Sequence, residues 1–331
     1  MGMQYAVTFN SGTSALHALL LAYGIKGKEV IVPSFTFIST ISAVILAGGI
    51  PVFAEIEPDT FGLDALDVQK KISKNTSAIV LVHYGGFPAR DTLAIKKIAD
   101  EHQIFLFEDN AESMGASIGG KKVGTFGDAG VLSFCQNKII TTGEGGALIT
   151  NNKNIYEKAK LIRSHGRIET SEDYFASVGD MDYVEVGYNY RMSSITAGLG
   201  IAQLKKVNKL IELRRKVASI YDSALDPINQ ISLPKKIPTH FEVYQMYPLL
   251  LPDENIRNNL QQHLAARGIM TKIYFYPAHL KTIFLRDYGL KEGHLPKTEM
   301  LSKKILSLPI YPHILKEDLQ YIIAAINDFF S

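Results

Sequence analysis

Lys138 lies in "SFCQNKIITTGEGG" (133–146), between a short apolar run and a stretch with three glycines, a glutamate and two threonines. An amine so placed could be a solvated surface charge, a phosphate ligand, or a nucleophile that forms a Schiff base with a carbonyl cofactor. The segment "FLFEDNAES" (105–113) reads as a buried strand that ends in Glu108 and Asp109, with Glu112 three residues on. A strand-end carboxylate usually caps the next turn; facing a heteroaromatic cofactor, it could hold a ring nitrogen protonated and make the ring an electron sink. In "NSGTSALHALLLA" (10–22), Ser, Gly and Thr precede an apolar helix, so N–H groups and hydroxyls converge on the positive end of the helix dipole. That suits a phosphate, although taken alone Ser11 or Thr13 merely capping the helix is the plainer account. No P-loop spelling occurs, and "GEGGAL" does not follow the dinucleotide fingerprint. Each signal is weak by itself, but their order along the chain is informative.

The elements that must position these residues follow from the apolar runs "AIVLVHY" (78–84), "IFLFED" (104–109), "GVLSF" (130–134) and "GALIT" (146–150), with helical spacing in "DTLAIKKIADEH" (91–102). Strands without polar alternation, separated by helices, predict an α/β layer domain with a mostly parallel sheet covered on both faces. In such sheets ligands sit at the carboxyl ends of strands, where Asp109 and Ser133 fall. The stretch 164–192, rich in Tyr, Gly and acids, reads as a loop, and 193–225 as one long helix capped by Ser193 or Ser194 with its basic residues outward. That helix is expected to join a large domain (1–208) to a smaller C-terminal α+β domain (209–331).

The chain has 331 residues, a net charge of +2 and interspersed charges, with no basic stripe of the kind that binds nucleic acid. Cys135 is its only cysteine, which excludes an intrachain disulfide and a multi-cysteine metal site; it is read as a buried thiol in a reducing, cytoplasmic setting. The first residues do not form a secretory signal pattern. Residues 30–54 carry no charge, but Pro33, Gly48, Gly49 and Pro51 divide them into strand (29–32), helix (about 36–47) and strand (51–54) rather than a membrane span.

Taken together, "NSGTSALHALL", "VIVPSFTFIST", "GGIPVFAEIEPDTFGLD", "EDNAESMGA", "GTFGDAGVLSF", "NKIITTGEGGALIT", "RSHGR", "GYNYRMSSITAGLGIAQL" and "LSLPIYP" resemble, in order, the DegT/DnrJ/EryC1/StrS sugar aminotransferases. The resemblance implies the aspartate-aminotransferase-like fold (PLP fold type I), pyridoxal 5′-phosphate as cofactor, and L-glutamate and a nucleotide-sugar as substrates. By it, Lys138 is the lysine that carries the cofactor as a Schiff base and later shuttles the proton. Asp109 pairs with the pyridinium nitrogen, Gly12, Thr13 and Ser133 hold the cofactor phosphate, and Phe37 stacks on the ring. Asn189 corresponds to a residue that reaches the phosphate in the neighbouring subunit, which implies a homodimer with shared active sites.

Glu112 departs from the Gln or His common beside the cofactor's phenolic oxygen; a carboxylate there must share a proton with that oxygen or be repelled by it. The spelling "EDxAE" with "NKxITTGEGG" is most similar to the GDP-perosamine synthase branch, which implies a nucleotide-linked 4-keto-6-deoxyhexose as acceptor. Relatives usually have a further segment ahead of the phosphate motif that helps cover the site and supports the dimer; here the motif begins almost at once. His279 in "YPAH" and His313 in "IYPH" are read as structural or unassigned before they are read as substrate contacts. Two rivals stand beside the aminotransferase: the related sugar dehydratase, which has histidine where Lys138 stands, and a cofactor-binding regulatory homologue.

Overall fold

The computed structural model describes residues 1–168 and 182–331. In chain order the first part builds β1 (Tyr5–Phe9), α1 (Gly12–Tyr23), β2 (Glu29–Pro33), α2 (Ser39–Leu46), β3 (Ile50–Ala54), α3 (Ala65–Lys71), β4 (Thr76–Val82), α4 (Thr92–Glu101) and β5 (Phe105–Asp109). The short strands β6 (Ser117–Ile118) and β7 (Lys121–Lys122) follow, then β8 (Ala129–Ser133), β9 (Gly146–Thr150) and α5 (Lys153–Arg163).

Among the described residues the central sheet has seven strands in the order β1-β9-β8-β5-β4-β2-β3. β9 runs antiparallel to both its neighbours and the other adjacent pairs are parallel, as the unbroken apolar runs predict. Successive residues of each strand point to opposite faces. Val30, Val32, Val80, Phe107 and Val131 pack under α1, α2 and α5, while Ile31, Ile79, Leu81 and Leu106 pack under α3 and α4. Covering both faces buries the sheet, and the strand ends are left as the place where polar groups meet solvent.

The remainder comprises α6 (Ser194–Leu204), α7 (Val207–Leu225), β10 (His240–Phe241), β11 (Tyr247–Leu250), α8 (Glu254–Ala266), α9 (Thr282–Asp287), α10 (Pro296–Lys304), β12 (Ile305–Leu308) and α11 (Lys316–Phe330). β11 and β12 pair antiparallel, and a core of Tyr247, Leu249, Leu260, Leu306 and Ile326 also takes in Phe35, Phe61 and Tyr84 from the N-terminal part. Among the described residues, no helix is long and apolar enough to cross a membrane.

Four sequence expectations need correction. The helix expected over 193–225 is two helices, α6 and α7, divided at Lys205 and Lys206. The helix expected from about residue 36 begins at Ser39, because residues 34–37 run from the end of β2 into the candidate site. Cys135 is half-buried rather than buried, with its Sγ 3.4 Å from Glu144 Oε1. On α7, Arg214 does not face outward: it is 5 % exposed, held by main-chain carbonyls. The loop expected over 164–192 falls partly outside the described residues.

Candidate active site

Ser11 is the N-cap of α1: its side chain accepts from Ser14 N–H at 3.0 Å, and Ser14 Oγ accepts from Ser11 N–H at 3.2 Å, a reciprocal capping box. The capping role is therefore real, and it leaves the amides of Gly12 and Thr13 at the positive end of the helix without intrahelical acceptors. Gly12 lies against Ser133 at the end of β8: a Cβ on Gly12 would stand 2.9 Å from Ser133 Cβ and 3.2 Å from its Oγ. A Cβ on Gly146, the first residue of β9, would meet Ser11 O at 2.5 Å. Only backbone fits there, so Gly12 and Ser133 face each other in one cradle, with Thr13 following Gly12 in the first turn of α1.

Asp109 ends β5, 6 % exposed, and accepts from Ala111 N–H (Oδ1, 3.0 Å) and from the Thr40 hydroxyl (Oδ2, 3.0 Å). Thr40 Oγ1 is in turn 3.0 Å from Thr36 Oγ1, which ties Asp109 to the segment carrying Phe37. Burial pushes the Asp109 carboxyl above the usual carboxylate range, partly countered by those hydrogen bonds and by Lys138. Phe37 is 59 % exposed, with the Phe275 ring centroid 6.4 Å from its own.

The neighbouring Glu108 points to the other side of the sheet and does a different job. Fully buried, it accepts from the amides of Gly124 (2.6 Å), Phe126 (2.6 Å) and Gly127 (2.7 Å) and from His83 Nε2 (2.9 Å). His83 Nδ1 accepts from Ala89 N–H at 2.9 Å, which places the ring proton on Nε2. Of the two adjacent acids, Glu108 is a structural anchor and Asp109 alone is left at the strand-end cradle.

Lys138 is positioned by the loop between β8 and β9. Ile139 and Ile140 are buried behind it, Phe134 N–H donates to Gly145 O (2.8 Å), and Lys138 N–H donates to Cys135 O (3.0 Å). Its Nζ stands 3.4 Å from Glu112 Oε1, with the lysine side chain 14 % and the glutamate side chain 7 % exposed. Glu112 Oε2 accepts from Gly85 N–H at 2.9 Å, so the carboxylate is fixed from the β4 end while it faces the amine.

Gly12 and Thr13 thus follow β1, Phe37 follows β2, Asp109 ends β5 with Glu112 just beyond, and Ser133 ends β8 with Lys138 in the loop after it, all at the same end of the strands. Asn189 stands apart: it is exposed, its backbone oxygen is 3.5 Å from Asn10 Nδ2, and it lines a cavity of about 740 Å³ with Arg191 and Ser193. His279 is buried, between Ser34 Oγ (2.6 Å from Nδ1) and Glu299 Oε1 (3.0 Å from Nε2), and belongs to the packing of the C-terminal part on β2. His313 is exposed. Thr40, Gly85 and His83 escaped sequence reading because each lies inside an apolar helix or strand-end segment with no distinguishing spacing.

The donor set fits pyridoxal 5′-phosphate: a backbone-and-hydroxyl cradle for a dianion, a buried carboxylate that among the described residues has no cationic partner at hydrogen-bonding distance, and an amine at the same strand ends. The fold and site are those of pyridoxal-phosphate-dependent aminotransferases. The chain belongs to the DegT/DnrJ/EryC1/StrS aminotransferase family, whose model matches residues 1–327. It is 37% identical over 330 residues to the GDP-perosamine synthase of Escherichia coli O157:H7, covering 99% of this chain and 86% of that protein. Among solved structures it is similar to Helicobacter pylori PseC, an aminotransferase of pseudoaminic acid biosynthesis (TM-score 0.92, 29% identity, 100% of this chain and 88% of that one). It is also similar to S. venezuelae DesV (TM-score 0.90, 32% identity, 99% and 85% covered). The protein is a pyridoxal-phosphate-dependent sugar aminotransferase.

Proposed function

We propose that the enzyme moves the amino group of L-glutamate to C4 of a nucleotide-linked 4-keto-6-deoxyhexose, GDP-4-keto-6-deoxymannose being the acceptor and GDP-perosamine the product. The 37% identity to a GDP-perosamine synthase over nearly the whole chain carries the choice of sugar. The Lys138–Glu112 pair, 3.4 Å apart beside Asp109, supports the chemistry.

Pyridoxal 5′-phosphate, when bound, supplies a carbonyl that takes up the amino group and a ring that draws off the electron pair left at the substrate carbon. In the proposed mechanism the amides of Gly12 and Thr13 and the Ser133 hydroxyl bind its phosphate. Asp109 keeps the ring nitrogen protonated, and Phe37 covers one ring face and excludes water. Lys138 Nζ holds the cofactor covalently at rest; as a free amine it takes the proton from the substrate carbon and returns it on the way to product. Glu112 Oε1 orients Nζ and accepts its hydrogen bond.

We further propose a cytoplasmic homodimer with a boundary between large and small domains near residues 208 and 209, and with Asn189 completing the partner's site. Exposed Ile195 (87 %) and Ile201 (59 %) on α6, a helix without a buried residue, support a second copy on that face. Lys138 argues for turnover against both the dehydratase and the regulatory homologue. The test is spectroscopic: the purified protein has an absorbance band that borohydride removes, that Lys138→Ala abolishes, and that L-glutamate converts. Failure of glutamate to change the band refutes the aminotransferase mechanism. Among nucleotide-linked keto sugars offered to the glutamate-treated enzyme, GDP-4-keto-6-deoxymannose should restore the band fastest. Mixing Lys138→Ala with Asn189→Ala chains should recover activity that neither has alone; no recovery would sink the shared site.

A further inference from the structure

Unpaired polar atoms gather around a second cavity, bordered by Asn137 of the lysine loop. Arg214 Nε, Gln245 Oε1 and Thr271 Oγ1 are buried without a hydrogen-bond partner among the described residues, and all three residues line one cavity of about 350 Å³ together with Ser307. Ser307 hydrogen-bonds the Tyr84 phenol. Buried polar groups are almost always satisfied, so such a gathering marks a place where a polar ligand completes the structure.

The charge balance says what kind of ligand. Arg214 is 5 % exposed; its Nη1 donates to the carbonyls of Tyr244 (3.2 Å), Gln245 (3.4 Å) and Ile310 (3.1 Å), and no carboxylate lies within ion-pair distance among the described residues. Burial lowers its pKa to about 10, which leaves it charged at neutral pH. Lys272 adds a second cation to the lining, and among the described residues no Asp or Glu lines the cavity. A buried guanidinium without a counter-charge is costly, and an anion placed here removes that cost. Gln245 Nε2 donates to the carbonyl of Asn137, which fixes the amide and leaves its Oε1 as an acceptor for an N–H or a water that the ligand brings. Met246, Met270 and Leu308 complete the wall with apolar surface suited to a short methylene chain.

The cavity also adjoins the reacting end. Asn137 directly precedes Lys138, and the Tyr274 phenol is close enough to Glu112 to be raised by its charge as well as by burial. We propose that this cavity is the subsite for a carboxylate of the amino donor, a short-chain dicarboxylic amino acid whose amine then reaches the Lys138 side. This rests on the donor assignment made above and adds residues to it: Arg214 and Thr271 as carboxylate ligands, with Lys272 at the rim.

The experiment is a calorimetric titration of the cofactor-loaded protein with glutarate, which cannot transaminate, together with single-turnover absorbance at varied L-glutamate. Glutarate is expected to bind and to compete with L-glutamate. Thr271→Val, which removes one hydroxyl and keeps the shape, should weaken both glutarate and L-glutamate about tenfold, as expected for one hydrogen bond to a charged group. Arg214→Gln should weaken them further, but that residue also holds three carbonyls, so the threonine variant decides if it fails to fold. Glutarate that binds without competing would mark a separate effector site and overturns the proposal. Equal affinities in wild type and Thr271→Val overturn it as well, while leaving the aminotransferase reading intact. If L-glutamate never changes the wild-type band, both readings fall.

Discussion

Asp109→Asn should stabilise the cofactor-free protein and weaken its hold on the cofactor. The carboxylate is 6 % exposed and has two hydrogen bonds, from Ala111 N–H and Thr40 Oγ1, each at 3.0 Å. Burial raises its pKa above the ordinary value, so the folded chain binds that proton more tightly than the unfolded one. The stability tied to this group is complete below the unfolded pKa, near ~3.9, and is lost as pH rises through the higher folded value. Wherever the pH exceeds that folded value, the cofactor-free protein carries the cost of the buried charge. Asparagine fits the same space: its oxygen keeps Ala111, and its amide N–H turns to Thr40 Oγ1, whose proton passes to Thr36 Oγ1 at 3.0 Å. Removing the charge should contribute on the order of 1 kcal/mol, a rise of about 2 °C in Tm. Cofactor binding moves the other way, because the variant loses a charge-assisted contact to the ring nitrogen of about 1.5–3 kcal/mol, roughly tenfold to a hundredfold in Kd. Scanning calorimetry of the cofactor-free proteins and an absorbance titration with pyridoxal 5′-phosphate at pH 7.5 read the two effects separately. Unchanged cofactor affinity, or a cofactor-free variant that melts several degrees lower, would refute the assignment of Asp109 as a buried charge awaiting a cation.

Gly12→Ala brings a Cβ to 2.9 Å from Ser133 Cβ, so Ser133 must retreat from the cradle; pyridoxal 5′-phosphate titration should show affinity about tenfold weaker with little loss of Tm. Glu55 is 7 % exposed and accepts from Lys297 N–H (3.0 Å), Thr298 N–H (2.8 Å) and Thr298 Oγ1 (2.6 Å) at the start of α10; Glu55→Ala strands those donors and should cost about 3 kcal/mol in urea denaturation. Burial holds the His279 ring below the usual imidazole pKa despite Glu299, so its contribution to stability is present above an unfolded pKa near ~6.5 and is lost as pH falls through the lower folded value. Urea midpoints measured between pH 7.5 and 5 should therefore fall less steeply in His279→Gln than in the wild type.

Much of the fold is legible locally. The runs at 78–84, 104–109, 130–134 and 146–150 become β4, β5, β8 and β9 because four to seven apolar residues without polar alternation are stable only when both faces are covered. Asp109 and Ser133 could be placed at a ligand-binding edge from their position at strand ends alone, and Gly12 and Thr13 from the helix start. The break at Lys205–Lys206 was not legible, because both flanking segments have helical spacing and only packing decides where one axis ends. β1 went unread for a similar reason: five residues of mixed polarity become a strand by pairing with β9.

By itself the sequence determined the family and the alternation of buried strands with helices, and it named the lysine, aspartate and glycine that we propose hold the cofactor. Only the tertiary structure decided that Glu108 anchors a loop while its neighbour Asp109 waits at the cradle, that Glu112 faces Lys138 at 3.4 Å, and that Arg214 turns inward toward a cavity on whose wall no acid stands among the described residues. Local spacing sets which side of a strand or helix a residue occupies. What meets it there is brought from 26 positions away for Glu112 and Lys138, and 96 for Arg214 and Ile310, by the packing of the whole chain.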